Sequence, residues 1–164
     1  MQSNDTLVDF LVAEEYLKTP RIIDAFRAID RADFVLPEYK GETYGNYPLP
    51  IGSDQTISQP LTVAFMLELL DPRPGERILD IGAGSGWTTA LLAHIVNEKQ
   101  AVSSKHAMFK IVHVQSMKEA VRIAARNAKK GDYVVLSPGA TSFSTFLNEF
   151  DRGNAFVAAV RALR

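Results

Sequence analysis

The chain has 164 residues, 46% of them hydrophobic and 23% charged, the size and composition of one ordinary globular domain. It contains no cysteine, which excludes disulfides, thiol nucleophiles and cysteine-ligated metals and fits a reducing compartment. The net charge of −1 conceals an asymmetry: residues 1–97 hold 7 Lys/Arg against 14 Asp/Glu, and residues 98–164 hold 11 against 5. The positive second half carries no aromatic-basic interleaving, so no nucleic-acid partner is expected. No basic stretch precedes an apolar core at the N-terminus, and no apolar run approaches the ~20 residues of a membrane span. The expectation is a cytoplasmic protein with no membrane partner.

In chain order, Leu7, Val8, Phe10, Leu11, Val12 and Leu17 lie near helical spacing and predict a first helix. Thr19-Pro20 predicts the N-cap and first residue of a second, with Ile22, Ile23, Phe26 and Ile29 on one side. Residues 30–58 lose periodicity and read as a long loop. Phe34, Val35, Tyr44, Tyr47, Ile51 and Ile57 are of buried type and argue against disorder there. SQPLTVAFMLELL predicts a third helix, with Pro60 in its first turn and Phe65 and Met66 as core candidates. A turn at Pro74-Gly75 leads to a strand at 77–81, and Trp87 to Asn97 predicts a helix with Trp87 packed at its start.

The second half alternates. FKIVHV (109–114) predicts a strand. Ser116 to Glu119 predicts a capping box opening a helix to about Lys130, stopped by Gly131. DYVVLSPG predicts another strand, TSFSTFLNEFDRG a loop with a short helix, and NAFVAAVRALR a closing helix. The fold class is therefore α/β: a helical N-terminal part, then a small, incomplete Rossmann-like βαβαβα parallel sheet from residue 77. Three widely separated histidines, His94, His106 and His113, make no metal set.

The strongest chemical feature is LDIGAGSGW. An apolar strand ends at Asp80, and glycines at 82, 84 and 86 let the chain turn sharply and let backbone approach a ligand. The spacing is neither the dinucleotide fingerprint, since residue 87 is tryptophan, nor a phosphate loop, since no Gly-Lys-Ser/Thr follows. It resembles motif I of class I S-adenosylmethionine-dependent methyltransferases. IDRADFVLPEY (29–39) and YPLPIGSDQTISQP (47–60) resemble segments of the protein-L-isoaspartate O-methyltransferases, which makes the match cover about residues 7–97.

The resemblance implies S-adenosyl-L-methionine as cofactor, held by Asp80, Gly82, Ala83, Gly84, Ser85 and Gly86. It implies isoaspartyl-containing peptides or proteins as substrates, with Ser58 beside the substrate carboxylate. Ser58 also has a second reading, as N-cap of the helix that follows; Asp80 and Asp54 have a second reading as solvated loop acids. Gln59-Pro60-Leu61 stands where many members have Ala-Pro-His, so no histidine is implied near the site.

After Val96 that pattern ends. The expected acid after the second strand is replaced by FKIVHVQS, with Gln115, or Glu98 before it, as substitutes for a ribose-binding carboxylate. Residues 110–160, with LSPGATSF, resemble the C-terminal domain of the Mur ligases that add D-glutamate. That resemblance implies Ser142 near an amino-acid carboxylate; without the rest of a ligase, a polar turn with a helix cap is the favoured reading of Ser137, Thr141 and Ser142. The organisation read from sequence is residues 1–97 as the N-terminal part of a methyltransferase domain, 98–109 as a junction and 110–164 as a ligase-like segment. A ligase fragment or a non-catalytic hybrid remain as alternatives.

Overall fold

A computed structural model describes residues 1–97, 112, 114, 116–136 and 146–163. Helix α1 spans Asn4–Ala13. It opens with a reciprocal cap: the Ser3 hydroxyl accepts from the Thr6 amide, and the Thr6 hydroxyl accepts from the Ser3 amide, an arrangement worth ~1 kcal/mol. Its Leu7, Val8 and Leu11 are fully buried. Leu17 lies past the helix end but is buried with them.

Helix α2 spans Pro20–Ala28 and buries Ile22, Ala25 and Phe26 on one face. Its N-cap residue is Thr19, as predicted, yet the threonine side chain makes no cap hydrogen bond. The Thr19 hydroxyl donates to Glu68 instead, at 2.7 Å, and the Lys18 and Thr19 amides donate to the same carboxylate at 2.8 and 2.9 Å. Glu68 comes from helix α3, Pro60–Leu70. Burial acts to raise the Glu68 pKa, but these three donors and Arg21 together hold it below the ordinary value.

Residues 30–58 are more ordered than their lack of periodicity predicts. Two 3-10 helices, Arg31–Phe34 and Pro37–Glu42, are followed by strands β1, Leu49–Gly52, and β2, Gln55–Ile57. The strands form an antiparallel hairpin with Leu49 opposite Ile57. Ser53 and Asp54 at its tip both have positive φ, 52° and 54°, the conformation of a two-residue turn that matches strand twist. Val35, Leu49 and Ile57 enter the core, whereas Tyr47 stays exposed.

In α3 the buried face is Pro60, Val63, Ala64 and Leu67. Phe65, expected in the core, is 54% exposed: at 3.6 residues per turn it falls on the face opposite that stripe. Strand β3, Ile78–Ile81, leads through the glycine turn into α4, Trp87–Val96, which buries Trp87, Leu91, Leu92 and Ile95. One apolar cluster joins α1, α2, the hairpin, α3 and α4. Phe26 meets Trp87 edge to face with ring centroids 5.6 Å apart, and His94 of α4 reaches Asp24 of α2 at 3.0 Å.

Helix α5, Met117–Asn127, starts at Ser116, whose hydroxyl accepts from the Glu119 amide at 3.2 Å. It ends three residues before the predicted Lys130. The Asn127 side chain bonds back to the Ile123 carbonyl, and Lys129 to Asp132 close a separate turn. Strand β4, Tyr133–Leu136, runs parallel to β3 with Asp80 opposite Val135. The parallel α/β arrangement expected from residue 77 is thus present in this pair.

Helix α6, Glu149–Arg161, passes through Gly153, where the sequence reading placed a break. The Asn148 side chain caps it by accepting from the Asp151 amide, and a Cβ on Gly153 would meet nothing, so no special backbone is needed there. The FKIVHV strand lies outside the described residues except for Val112 and Val114, both exposed. Glu98, Gln115, Ser137, Thr141 and Ser142 lie outside them as well.

Candidate active site

Between β3 and α4, φ is positive at Gly82, Gly84 and Gly86, at 90°, 57° and 91°, and Ala83 and Ser85 between them do not share it. Alternation of this kind turns successive amides toward one concave side and favours an electronegative ligand. The Gly86 amide closes the turn on the Ala83 carbonyl at 2.8 Å. Gly82, Ala83 and Gly84 are exposed. A Cβ on Gly86 would lie 4.0 Å from the Phe34 ring, which places the first 3-10 helix against the turn.

Asp80 stands at the entrance to this turn. Its Oδ2 accepts from the Thr89 hydroxyl at 2.6 Å. Its Oδ1 is buried and has no hydrogen-bond partner among the described residues. Burial pushes the Asp80 pKa up, and the Thr89 hydroxyl offsets part of that rise. A buried carboxylate oxygen with no partner at the mouth of an exposed glycine turn has the chemistry to accept from a polar or cationic ligand group.

Ser58 lies between β2 and α3, half-buried. It is not the cap of α3. Gln59 is the N-cap residue and makes no side-chain cap bond. The Leu61 amide is instead taken by Asn46 Oδ1 at 3.0 Å, and Gln59 Nε2 holds the Asn46 carbonyl at 3.0 Å. The departure at Gln59 therefore has a structural use. With capping supplied by Asn46, no hydrogen bond occupies the Ser58 hydroxyl among the described residues.

Arg31 is the residue that sequence reading missed. It is fully buried. Its Nη1 donates to the carbonyls of Thr43 and Gly45, and its Nη2 to those of Tyr47 and Ser58, each at 3.1 Å. The guanidinium carbon lies 5.4 Å from the centre of the Trp87 ring, a cation–π distance. Burial lowers its pKa to about 10, so it remains a cation at neutral pH. Ser58 and the glycine turn are thereby connected: Ser58 carbonyl to Arg31, Arg31 to Trp87, and Trp87 to its chain neighbour Gly86. The one available signal was its place in the RADFVLP segment.

Among the described residues, no group of three or more His, Asp or Glu is placed to hold a metal, and no helix is long and apolar enough to cross a membrane. Asp54 sits at the hairpin tip, away from β3 in the chain and exposed.

A parallel strand pair with an acid at a strand end and a left-handed glycine turn into a helix places the chain in the Rossmann-like α/β class, and comparison with known proteins specifies it. The chain belongs to the protein-L-isoaspartate(D-aspartate) O-methyltransferase family, whose pattern matches residues 2–144. It is 40% identical over 127 residues to the protein-L-isoaspartate O-methyltransferase of Aeropyrum pernix, covering 77% of this chain and 45% of that one. It is 39% identical over 131 residues to that of Anaeromyxobacter dehalogenans, covering 80% and 62%. A Plasmodium falciparum structure described as a protein-L-isoaspartate O-methyltransferase in complex with S-adenosyl-L-homocysteine superposes with a TM-score of 0.51 at 25% identity, over 57% of this chain and 42% of that one. The chain thus spans about half the length of these relatives.

The family match crosses the junction read at 98–109 and most of the segment read as ligase-like. The resemblance of residues 110–160 to Mur ligases finds no support. Short motifs such as LSPGATSF are compatible with any polar strand-to-helix turn.

Proposed function

We propose that this chain binds S-adenosyl-L-methionine at the glycine turn and methylates the carboxylate of L-isoaspartyl residues in damaged peptides and proteins, a protein-repair activity. The observation that carries this reading is the exposed turn of three left-handed glycines beside the half-partnered carboxylate of Asp80. These residues fit the cofactor: the glycines present no Cβ, and Asp80 Oδ1 is free to accept. Asp80, Gly82, Ala83, Gly84, Ser85 and Gly86 would hold it. When bound, S-adenosyl-L-methionine supplies a methyl group already activated on a sulfonium, so a carboxylate becomes an ester without proton transfer. What remains for the protein is positioning, which accounts for much of the rate in such a reaction. Ser58 would donate its hydroxyl to the substrate carboxylate and fix its approach, and it is not a nucleophile.

The chain is read as residues 1–97, which hold the glycine turn and Ser58, a junction at 98–109, and a βαβα segment at 110–164 that supplies a sheet neighbour to β3. The parallel pairing of β3 with β4 supports this division of labour, as does the change in charge near residue 97. A cytoplasmic location fits the absence of cysteine.

Calorimetric titration with S-adenosylhomocysteine tests the cofactor site, and Ser58→Ala tests the substrate site. Hydrogen bonds to a charged group contribute roughly 1.5–3 kcal/mol, so Ser58→Ala is expected to lower kcat/KM for an isoaspartyl peptide by about one to two powers of ten. Cofactor affinity and thermal stability should hold, since the hydroxyl caps nothing. A matching loss of melting temperature with unchanged kinetics would return Ser58 to a structural role.

A further inference from the structure

We propose that Arg31 is a positioning residue: its guanidinium fork holds the Ser58 backbone in register with the glycine turn by binding the Ser58 carbonyl and lying over Trp87. This rests on the reading above, in which Ser58 meets the substrate carboxylate.

The fork gathers four carbonyls from residues 12 to 27 positions away. A lysine ammonium is a compact head with three donors and could not reproduce that planar, four-contact geometry. Arg31 is a costly device if stability is its only purpose. It is a fully buried cation whose partners among the described residues are carbonyl dipoles and a ring, and its Nε has no hydrogen-bond partner there. Trp87 Nε1 and Thr43 Oγ1 beside it are also buried without partners. Buried charge and unsatisfied polar atoms destabilise a fold, and apolar side chains of similar volume would fill the space at lower cost. What they would not supply is a fixed Ser58 and a positive charge behind it. A carboxylate loses its negative charge on becoming an ester, so a cation behind Ser58 favours the bound anion more than the reacting one. Its contribution belongs in KM more than in kcat.

The test is a double-mutant cycle on the full chain between Arg31→Lys and Ser58→Ala, with kcat, KM for an isoaspartyl peptide, S-adenosylhomocysteine affinity and melting temperature measured for each. Trp87 is the single tryptophan, so its emission reports the guanidinium contact directly. Arg31→Lys keeps the cation but loses the fork that fixes the Ser58 backbone; it is expected to shift that emission, to raise KM about tenfold and to change kcat less than about threefold. In the Ser58→Ala background the same substitution should raise KM less than about threefold, because residues acting through one contact are not additive.

A loss of kcat and melting temperature with KM unchanged would make Arg31 structural only and overturn the inference. So would an undiminished KM penalty in the Ser58→Ala background. If Arg31→Lys does not fold, Trp87→Leu removes the aromatic face under the guanidinium and keeps an apolar side chain there; a rise in KM for the peptide with S-adenosylhomocysteine affinity retained supports the inference, and an unmoved KM overturns it. A wild-type chain that neither binds S-adenosylhomocysteine nor methylates the peptide removes the reading of the site and this inference with it. A wild type that does both, beside an Arg31→Lys variant indistinguishable from it, removes this inference alone.

Discussion

Gly84→Val is expected to lower S-adenosylhomocysteine affinity by at least about a hundredfold, roughly 2.7 kcal/mol, in a chain that still folds. Gly84 has φ of 57°. That region costs an L-residue roughly 1–2 kcal/mol, and it is a genuine outlier for a branched side chain. Gly84 is exposed, so the added methyl groups meet no core. They stand where backbone is proposed to meet cofactor. Two effects then act in the same direction: the turn is pushed away from its left-handed conformation, and the space over it is filled. The melting temperature should fall by several degrees, on the order expected for about 2 kcal/mol in a domain of this size. Gly84→Ala should fall between wild type and valine, since it brings the backbone penalty with little bulk. Calorimetry gives the affinity and circular dichroism the fold. Retained affinity in a valine variant with native dichroism would mean that the cofactor lies elsewhere.

The glycine turn was legible in the sequence for the same reason that this variant is informative. Three positions need left-handed backbone, and only glycine adopts it without cost. Helices α1 to α4 were legible because each buries one face of a 3.6-residue period. Residues 30–58 were not. Their order comes from Arg31 binding carbonyls far along the chain, and backbone acceptors leave no trace in side-chain pattern.

Neither capping-type side chain bonds its own helix start, and the cause is the same. Thr19 and Ser58 are residues of the capping type just before a proline-led helix, but the start of α2 is tied to Glu68 and the Leu61 amide of α3 to Asn46. A local motif shows what a residue is able to do; a partner 15 or 49 positions away decides whether it does so. In Thr19 the released hydroxyl joins Glu68. In Ser58 no such partner takes it among the described residues, and that difference makes Ser58 the better candidate for chemistry.

Asp80→Asn is expected to move stability and function in opposite directions. Burial raises the Asp80 pKa above its ordinary value, with the Thr89 hydroxyl opposing. For a carboxyl raised in this way the folded state binds the proton more tightly than the unfolded state. Its stabilising contribution is therefore complete below the unfolded pKa, about 3.9, and is lost as pH rises through the higher folded value. Once pH exceeds the raised folded value, wild type carries a buried carboxylate with one oxygen unpartnered among the described residues, and the neutral amide avoids that charge. The variant should then melt a few degrees higher than wild type, on the order of 1 kcal/mol. The advantage should shrink toward zero as pH falls into the ordinary carboxyl range, where wild type is protonated too. Over the same series at pH 8, S-adenosylhomocysteine affinity should drop about tenfold or more, the size of a lost hydrogen bond to a charged acceptor. Melting curves from pH 4 to 8 and calorimetry at pH 8 supply both halves. Equal destabilisation at every pH would show that the carboxylate holds the turn together through Thr89 and contributes nothing to a ligand. A gain in stability at high pH with a loss of affinity would mark a group kept charged and half-partnered against the interest of the fold, which a site accounts for and packing does not.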